Sequence, residues 1–293
     1  MCYNKHKLWG VMLMDREAKI IKLKLDVIFK RVFGNEKNDK IIAAFVEDLL
    51  EMKRGTIQKI EINNVELPPD ELDRKFSRLD LKMHVDNRVV NIEMQVNYEA
   101  DFKDRTLFYW SKLYSEELAA GDEYSDLKQT ICINIINFNA FECKEYQSHF
   151  KVLETNRHEV LSDKLDIYFF ELKKIKNSTN NKPMEDWLNL INAETEGELM
   201  DIETNTQIKE VRDTIVILRE LNADEKVKQE AYYREKRLHD EASALGHARR
   251  EGIAEGLEKG RVEGAVKRES EIVANLRKMG MTEEQIKSVL KTS

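Results

Sequence analysis

Two segments of alternating apolar and polar residues, on either side of Asp86-Asn87, constrain the fold of this chain more than any other feature. Residues 76–85 and 88–96 both have the two-residue period of a β-strand with one buried face. Strands joined by two turn-forming residues predict a tight β-hairpin. The turn also fixes the register, because Val85 then pairs with Arg88 and every other pair follows from that one.

This register sorts the side chains of the hairpin onto two faces, since residues that pair directly lie on the same face of a sheet. One face is apolar and is expected to turn toward the core: Leu81, Met83, Val85, Val90 and Ile92. The other face is polar and carries Asp80, Lys82, Asn91, Glu93 and Gln95. The hairpin therefore offers one face for packing and one for chemistry.

The segments around the hairpin change between helical and strand periods. Helical spacing is found in residues 25–52 and in residues 101–119, where Leu107, Trp110, Tyr114 and Leu118 form an apolar face. Strands are predicted at 56–67, 129–138 and 165–172. The order helix, three strands, helix, strand, strand indicates an α/β or α+β domain with a mixed sheet.

Everything after the polar, turn-rich segment 176–183 has helical patterns. The predicted organisation is a basic N-terminal segment at 1–24, a mixed α/β domain at 25–175, a helical connector at 183–223 and a glycine- and charge-rich helical tail at 224–293. The tail closes with a small helical hairpin. Such a hairpin is typical both of DNA-reading units and of ordinary short helix pairs.

Glycines recur every four residues in the tail, at 252, 256, 260 and 264. Each glycine inside a helix costs about 1 kcal/mol relative to alanine. One interpretation is a helix whose glycines let a second helix approach closely, so that the chain forms a homo-oligomer. The other is a flexible charged stalk. The absence of proline and the i,i+4 pair of Glu255 and Lys259 favour the helix.

The hairpin places two acids opposite each other. Directly paired carboxylates lie about 5 Å apart at Cβ and repel, and a hard divalent cation, which prefers oxygen ligands, would relieve the repulsion. Asp80, Glu93 and the backbone carbonyl of Met94 would together hold Mg²⁺, or Mn²⁺ in its place, and leave positions for water and phosphate. The alternative is a solvated face on which a lysine pairs with the acids.

A set of residues in fixed order extends this pattern along the chain: Asp26 to Lys30 with Phe33-Gly34, Asp80, Asn91 to Gln95, Arg105 with Tyr109, Tyr114-Ser115, Gly121-Asp122 with Tyr124, and Ile131 to Phe138 with Phe141. This set, which spans about residues 25–172, resembles the PD-(D/E)xK nuclease superfamily. Within it the chain looks like the Rpn group, the recombination-promoting nucleases that are also labelled transposases. The glycine-rich tail is typical of that group. The resemblance implies an αβββαβ restriction-endonuclease-like core and a metal-dependent DNA endonuclease.

By this resemblance Asp80 and Glu93 bind Mg²⁺, and Gln95 stands where the superfamily usually has lysine. A lysine would stabilise the attacking hydroxide by its charge, whereas a glutamine orients water through hydrogen bonds. Lys82, on the same face of the hairpin, is a candidate for the missing cation. The alternative for Lys82 is a solvated or carboxylate-paired side chain.

Four more residues are candidates for supporting roles. Asp26 would reach the site from the first helix, with Lys30 one turn further on, or else Asp26 caps its helix or forms an ion pair within it. Arg105 and Tyr109, at i and i+4, would contact phosphate or brace Glu93. Structural hydrogen bonds are the alternative for both.

Charge, hydropathy and cysteines bear on the setting of the protein. The net charge of −7 weakly disfavours a nucleic-acid partner, although residues 1–31 hold eight Lys and Arg against three acids. No apolar stretch approaches the roughly 18 residues of a membrane span, and no signal peptide is recognisable. Three widely spaced cysteines indicate a reducing, cytoplasmic setting. The alternative function is a catalytically weak or inactive scaffold, DNA-binding or oligomeric, that retains the nuclease fold.

Overall fold

The computed structural model describes residues 15–63, 81–175 and 182–291. In these residues the helices are α1 (Asp26–Phe33), α2 (Asp39–Leu49), α3 (Phe102–Glu116), α4 (Leu172–Ile175), α5 (Pro183–Asn192), α6 (Glu196–Asn205), α7 (Lys209–Ala223), α8 (Glu225–Lys278) and α9 (Glu283–Lys291). The strands are β1 (Ile60–Ile62), β2 (Leu81–Val85), β3 (Arg88–Gln95), β4 (Gln129–Ile136), β5 (Gln147–Phe150) and β6 (Leu165–Glu171). The predictions that concern residues 1–14, 64–80 and 176–181, Asp80 among them, lie outside the described residues.

The strands form one mixed sheet in the order β1-β2-β3-β4-β6-β5. Strand β3 runs antiparallel to β2 and parallel to β4, and β4 runs parallel to β6, while β1 and β5 pair antiparallel at the two edges. The predicted hairpin register is confirmed, since Leu81 pairs with Ile92 and Val85 with Arg88. The predicted α/β fold, with a mixed sheet and a helical C-terminal region, is therefore confirmed.

Strand β5 was not predicted. It is four residues long and contains Ser148 and His149, which carry little strand signal on their own. The edge strand exists because it pairs with β6, where Gln147 lies opposite Phe170. A contact of this kind is set by the sheet and not by the local sequence.

One face of the sheet carries the larger apolar core, to which α1, α2, α5, α7 and the first turns of α8 contribute. The predicted apolar residues of the hairpin all lie in it: Leu81, Met83, Val85, Val90 and Ile92. Aromatic rings fill its centre, with Phe33 stacked 4.3 Å from Phe45 and Trp187 at 5.3 Å from Phe45. All three side chains are fully buried.

The opposite face of the sheet is covered by α3. Here the predicted apolar face of the helix was wrong at Leu107, which is 54% exposed, while Trp110 of the same face packs against the apolar cluster on this side. Tyr109, which was assigned to another face, is 5% exposed. The sheet surface beneath α3 is polar, so the helix turns Thr106 and Tyr109 toward it and leaves Leu107 outside. A smaller apolar cluster, including Phe102 and Leu113 of α3, completes this layer.

The chain divides into two compact units, residues 1–238 and 239–293. Helix α8 begins in the first unit, where Val227 and Ala231 are buried in the large core. In the second unit it continues to Lys278, which confirms the helical interpretation of the glycine segment. Gly280 then adopts a φ of +83°, a conformation that favours glycine, and α9 follows as the second arm of the predicted helical hairpin.

Candidate active site

The candidate site lies on the face of β3 that α3 covers. Along β3 the side chains alternate, so that Asn91, Glu93 and Gln95 point away from the large core. The parallel neighbour β4 places Cys132 opposite Asn91 and Asn134 opposite Glu93. The polar face that the sequence predicts therefore lies between the sheet and a helix, and is not an open solvated surface.

Glu93 is half-buried, and its carboxylate accepts a hydrogen bond from Asn91 Nδ2 at 3.0 Å. Asn91 itself is 1% exposed. Its Oδ1 is one of two buried side-chain polar atoms in the described part of the chain that have no hydrogen-bond partner. Both residues line a narrow cavity between β3, β4 and α3, together with Phe102, Arg105, Thr106, Tyr109, Cys132 and Asn134.

The thiol of Cys132 is unreactive in this cavity. Burial, and to a smaller extent the charge of Glu93, raises the pKa of the Cys132 thiol. The thiol is therefore protonated at neutral pH, and a protonated thiol is a poor nucleophile and a poor metal ligand. This leaves oxygen atoms as the donors of the site.

Gln95 is held by three neighbours at the end of β3. Its Nε2 donates to the Asn97 carbonyl at 3.0 Å and to Glu99 Oε1 at 2.9 Å, while its Oε1 accepts from Arg105 Nη2 at 3.2 Å. Arg105 also forms an ion pair with Glu99. Arg105 thus braces Gln95 and Glu99. These contacts match the structural hydrogen-bond role, which was the alternative to a contact with phosphate or with Glu93.

Glu99 is the functional candidate that the sequence analysis missed. It lies in the connection between β3 and α3, where neither the period of a strand nor that of a helix predicts the direction of a side chain. The sequence offered one signal for Glu99, namely that it lies close to Gln95 and Arg105 along the chain. Such proximity alone does not show that the three side chains meet.

The structure gives Lys82 a carboxylate partner. Its Nζ lies 3.2 Å from Glu116 Oε2 of α3, and its side chain is 11% exposed. Lys82 pairs with Asn91 across the hairpin, so it does lie on the site's face. Its ammonium group is, however, already in an ion pair with Glu116. Tyr109, on the same helix, is buried and lines the cavity beside Glu93.

Asp26 and Lys30 lie on α1, which packs against the large core on the other face of the sheet. Asp26 accepts a hydrogen bond from Arg234 Nε of α8 at 2.6 Å. Lys30 lines a surface pocket at the end of α1 with Arg31 and Lys37. The structure thus ties Asp26 to α8.

The oxygen donors around Glu93 suit a hard divalent cation. The Gln95 carbonyl accepts from the Asn137 amide at 2.9 Å, on the β4 side of the strand. Since successive carbonyls along a strand point in opposite directions, the Met94 carbonyl points toward the β2 side. Asp80 precedes Leu81, the first residue of β2, in the sequence. In the residues described, no group of three or more His, Cys, Asp and Glu is arranged to hold a metal ion. Asp80, one of the predicted ligands, lies outside those residues.

Comparison with known families identifies the chain. A family model described as a PD-(D/E)XK nuclease family transposase matches residues 23–248. This chain belongs to that family. The match spans the whole mixed sheet and the helices on both of its faces, and it supports a nuclease- or transposase-like role, which implies DNA as the substrate. The resemblance inferred from the sequence is thereby confirmed.

Searches of the curated proteins and of the solved structures found no significant match. Among the helices that the structure describes, none is long and apolar enough to cross a membrane.

Proposed function

We propose that the protein is a Mg²⁺-dependent DNA endonuclease that hydrolyses phosphodiester bonds. The observation that carries the proposal is the row formed by Glu93 and Gln95 on the α3 face of β3, in a chain of this nuclease family. Glu93, the Met94 carbonyl and Asp80 would hold the metal ion. Asp80 lies outside the described residues and enters the proposal as the residue that the sequence predicts opposite Glu93.

A bound Mg²⁺ supplies positive charge that makes water more acidic and neutralises phosphate oxygens. The protein's own groups have separate tasks. The half-buried carboxylate of Glu93 would supply negative charge at a fixed position for the metal ion. Gln95 orients the attacking water. Tyr109 lines the cavity beside Glu93, and Arg105 holds Gln95 in place.

The test is cleavage of supercoiled plasmid by the purified protein with Mg²⁺, with Mn²⁺ or with EDTA. Glu93→Gln and Asp80→Asn keep the side-chain shape and remove the charge, so each is expected to lower the cleavage rate by about 10²-fold or more. Both should also weaken Mn²⁺ binding in a titration followed by electron paramagnetic resonance. Asp104→Asn, at an exposed acid on α3, is the matched control and should change neither.

Cleavage that persists in both charge-removing variants would refute the assignment of the site. Absence of cleavage with either metal, together with retention of DNA on a gel, would favour the second candidate, a DNA-binding scaffold with little or no turnover. The specific observation behind that candidate is that Gln95 replaces lysine and has both of its N–H groups bonded within the protein.

Roles in DNA recombination or mobile elements, and a cytoplasmic setting, are part of the same proposal. The first is supported by the family description, which names transposases. The second is supported by the free state of the two cysteines that the structure describes, Cys132 and Cys143.

We also propose that the glycine segment of α8 mediates self-association. A Cβ built on Gly252, Gly256, Gly260 or Gly264 meets no described atom within 4 Å, apart from the helix's own nearby backbone. Because these four positions carry no side chains, a second helix can approach closely there. Contacts with that helix would offset the cost of about 1 kcal/mol that each glycine brings. Gly256→Leu should raise helicity but lower the mass measured by sedimentation, whereas Ala254→Leu, on the opposite side of the helix, should leave the mass unchanged. An unchanged mass for Gly256→Leu would contradict the proposal.

A further inference from the structure

The end of β3 carries a hydrogen-bond network that the family match does not assign. It consists of Gln95, Asn97, Glu99 and Arg105, joined by the contacts described above. The network is anchored on a second side, because Asn97 Nδ2 donates to the carbonyl of Leu238 at 2.9 Å. Arg105 is further held over the ring of Phe102, with 5.2 Å from its guanidinium carbon to the ring centroid.

The chemistry of the partners fixes the direction of the Gln95 amide. An ionised carboxylate only accepts hydrogen bonds, and a guanidinium only donates them. Glu99 must therefore face the amide nitrogen of Gln95, and Arg105 must face the amide oxygen. A turn of the amide by 180° would set N–H against N–H and oxygen against oxygen.

This arrangement leaves Gln95 with one unused hydrogen-bonding site, a lone pair on its amide oxygen. Both N–H groups are used, by Glu99 and by the Asn97 carbonyl. The amide oxygen has two lone pairs, and Arg105 takes one of them. What Gln95 can still offer is a single acceptor, which can receive a hydrogen from a water molecule and so direct the water's own lone pair. It cannot donate to a developing negative charge, as the usual lysine would.

We propose that Glu99 is a positioning residue which, with Arg105, holds the Gln95 side chain so that its carbonyl oxygen orients the attacking water. The inference rests on the proposed nuclease function for its catalytic consequence. Its structural part, the direction of the Gln95 amide set by Glu99, stands independently of that function.

The first arm of the test is a double-mutant cycle on plasmid cleavage in Mg²⁺. Glu99→Ala should lower kcat by about 10- to 100-fold, because a small misplacement of a catalytic group has an effect of this size. KM for DNA should stay the same. In a Gln95→Ala background, Glu99→Ala should cause no further loss, since there is no amide left to position. Glu99→Gln, whose carbonyl can still accept from Gln95, should recover part of the rate.

A merely structural role for Glu99 predicts a different result. The loss in Glu99→Ala would then follow the melting temperature and would reappear in full in the Gln95→Ala background. Either observation would overturn the proposal. Asp104→Asn, an exposed acid close to Glu99 in the chain, controls for a general change of charge near the site.

The second arm does not depend on catalysis. The chain contains seven glutamines, so selective ¹⁵N labelling gives a small set of side-chain amide signals. Gln95→Ala identifies the pair that belongs to Gln95. In the full-length protein that pair should shift in Glu99→Ala and stay in place in Asp104→Asn. A pair that does not move in Glu99→Ala refutes the positioning role, whether or not the protein cleaves DNA. Shifted signals without any cleavage by the wild type would support the amide geometry and count against the nuclease function alone.

Discussion

The two faces of the central sheet differ in what they contribute, and β3 belongs to both. On one face β3 presents Val90, Ile92 and Met94 to the large apolar core. On the face under α3 it presents Asn91, Glu93 and Gln95. The two buried polar atoms without a partner in the described residues, Asn91 Oδ1 and Thr130 Oγ1, both lie on the α3 face. A buried group in this state costs about 1–3 kcal/mol. The apolar face thus stabilises the fold, while the other face is less stable because it holds polar groups in place.

The largest effect should come from breaking the apolar face at its centre. Phe45→Ala removes a fully buried ring that contacts Phe33 and Trp187, and should lower the free energy of unfolding by about 3–5 kcal/mol. Denaturant unfolding measures this. Phe108→Ala, at a ring on α3 that is 50% exposed, should change stability by much less. Similar losses in both variants would contradict the division between the faces.

Two buried threonines on the polar face differ in their hydrogen bonds. Thr106 Oγ1 lies 3.0 Å from the Phe102 carbonyl and 3.2 Å from Asn134 Oδ1, and can donate to one of them at a time, whereas the buried Thr130 Oγ1 has no partner. Thr106→Val should therefore destabilise the protein by about 1–2 kcal/mol, and Thr130→Val should stabilise it by about 1 kcal/mol. Melting curves of the two shape-matched variants test the pair, and shifts of the same sign would show that hydrogen-bond satisfaction is not what separates them.

The smallest effect concerns the acid at the end of α3. Burial works to raise the pKa of Glu117, but hydrogen bonds from Lys128 and His84 outweigh it, and the pKa lies below its ordinary value of 4.5. The folded state thus binds this proton less readily than the unfolded state. Its stabilisation is present above pH 4.5 and is lost as the pH falls through the folded-state pKa.

Glu117→Gln should accordingly be less stable than the wild type at pH 7, by about 1 kcal/mol. The difference between the two proteins should shrink as the pH is lowered toward 3. Unfolding in urea at several pH values checks this. A difference that stays constant over that range would mean that the charge of Glu117 contributes nothing.

Local structure follows directly from the amino-acid sequence wherever a hydrophobic period and a turn agree. The alternation on both sides of Asp86-Asn87 determines the hairpin, its register and the division of its side chains between two faces, because a strand has a period of two and the turn admits a single register. The order of helices and strands likewise indicated a mixed sheet, and the ordered motif from Asp26 to Phe141 indicated the family that the comparison shows.

Which elements cover each face of the sheet, and which side chains meet there, depends on tertiary packing. Spacing along α3 suggested that Leu107 turns inward, but the polar surface of β3 and β4 drew Thr106 and Tyr109 in instead. Lys82 pairs with Glu116 and Asp26 with Arg234, in each case on another element of the fold. The side-chain partners of Gln95 are Glu99 and Arg105, which lie beyond the end of its strand. Long polar side chains choose partners by distance in space and by charge, and no local period encodes either.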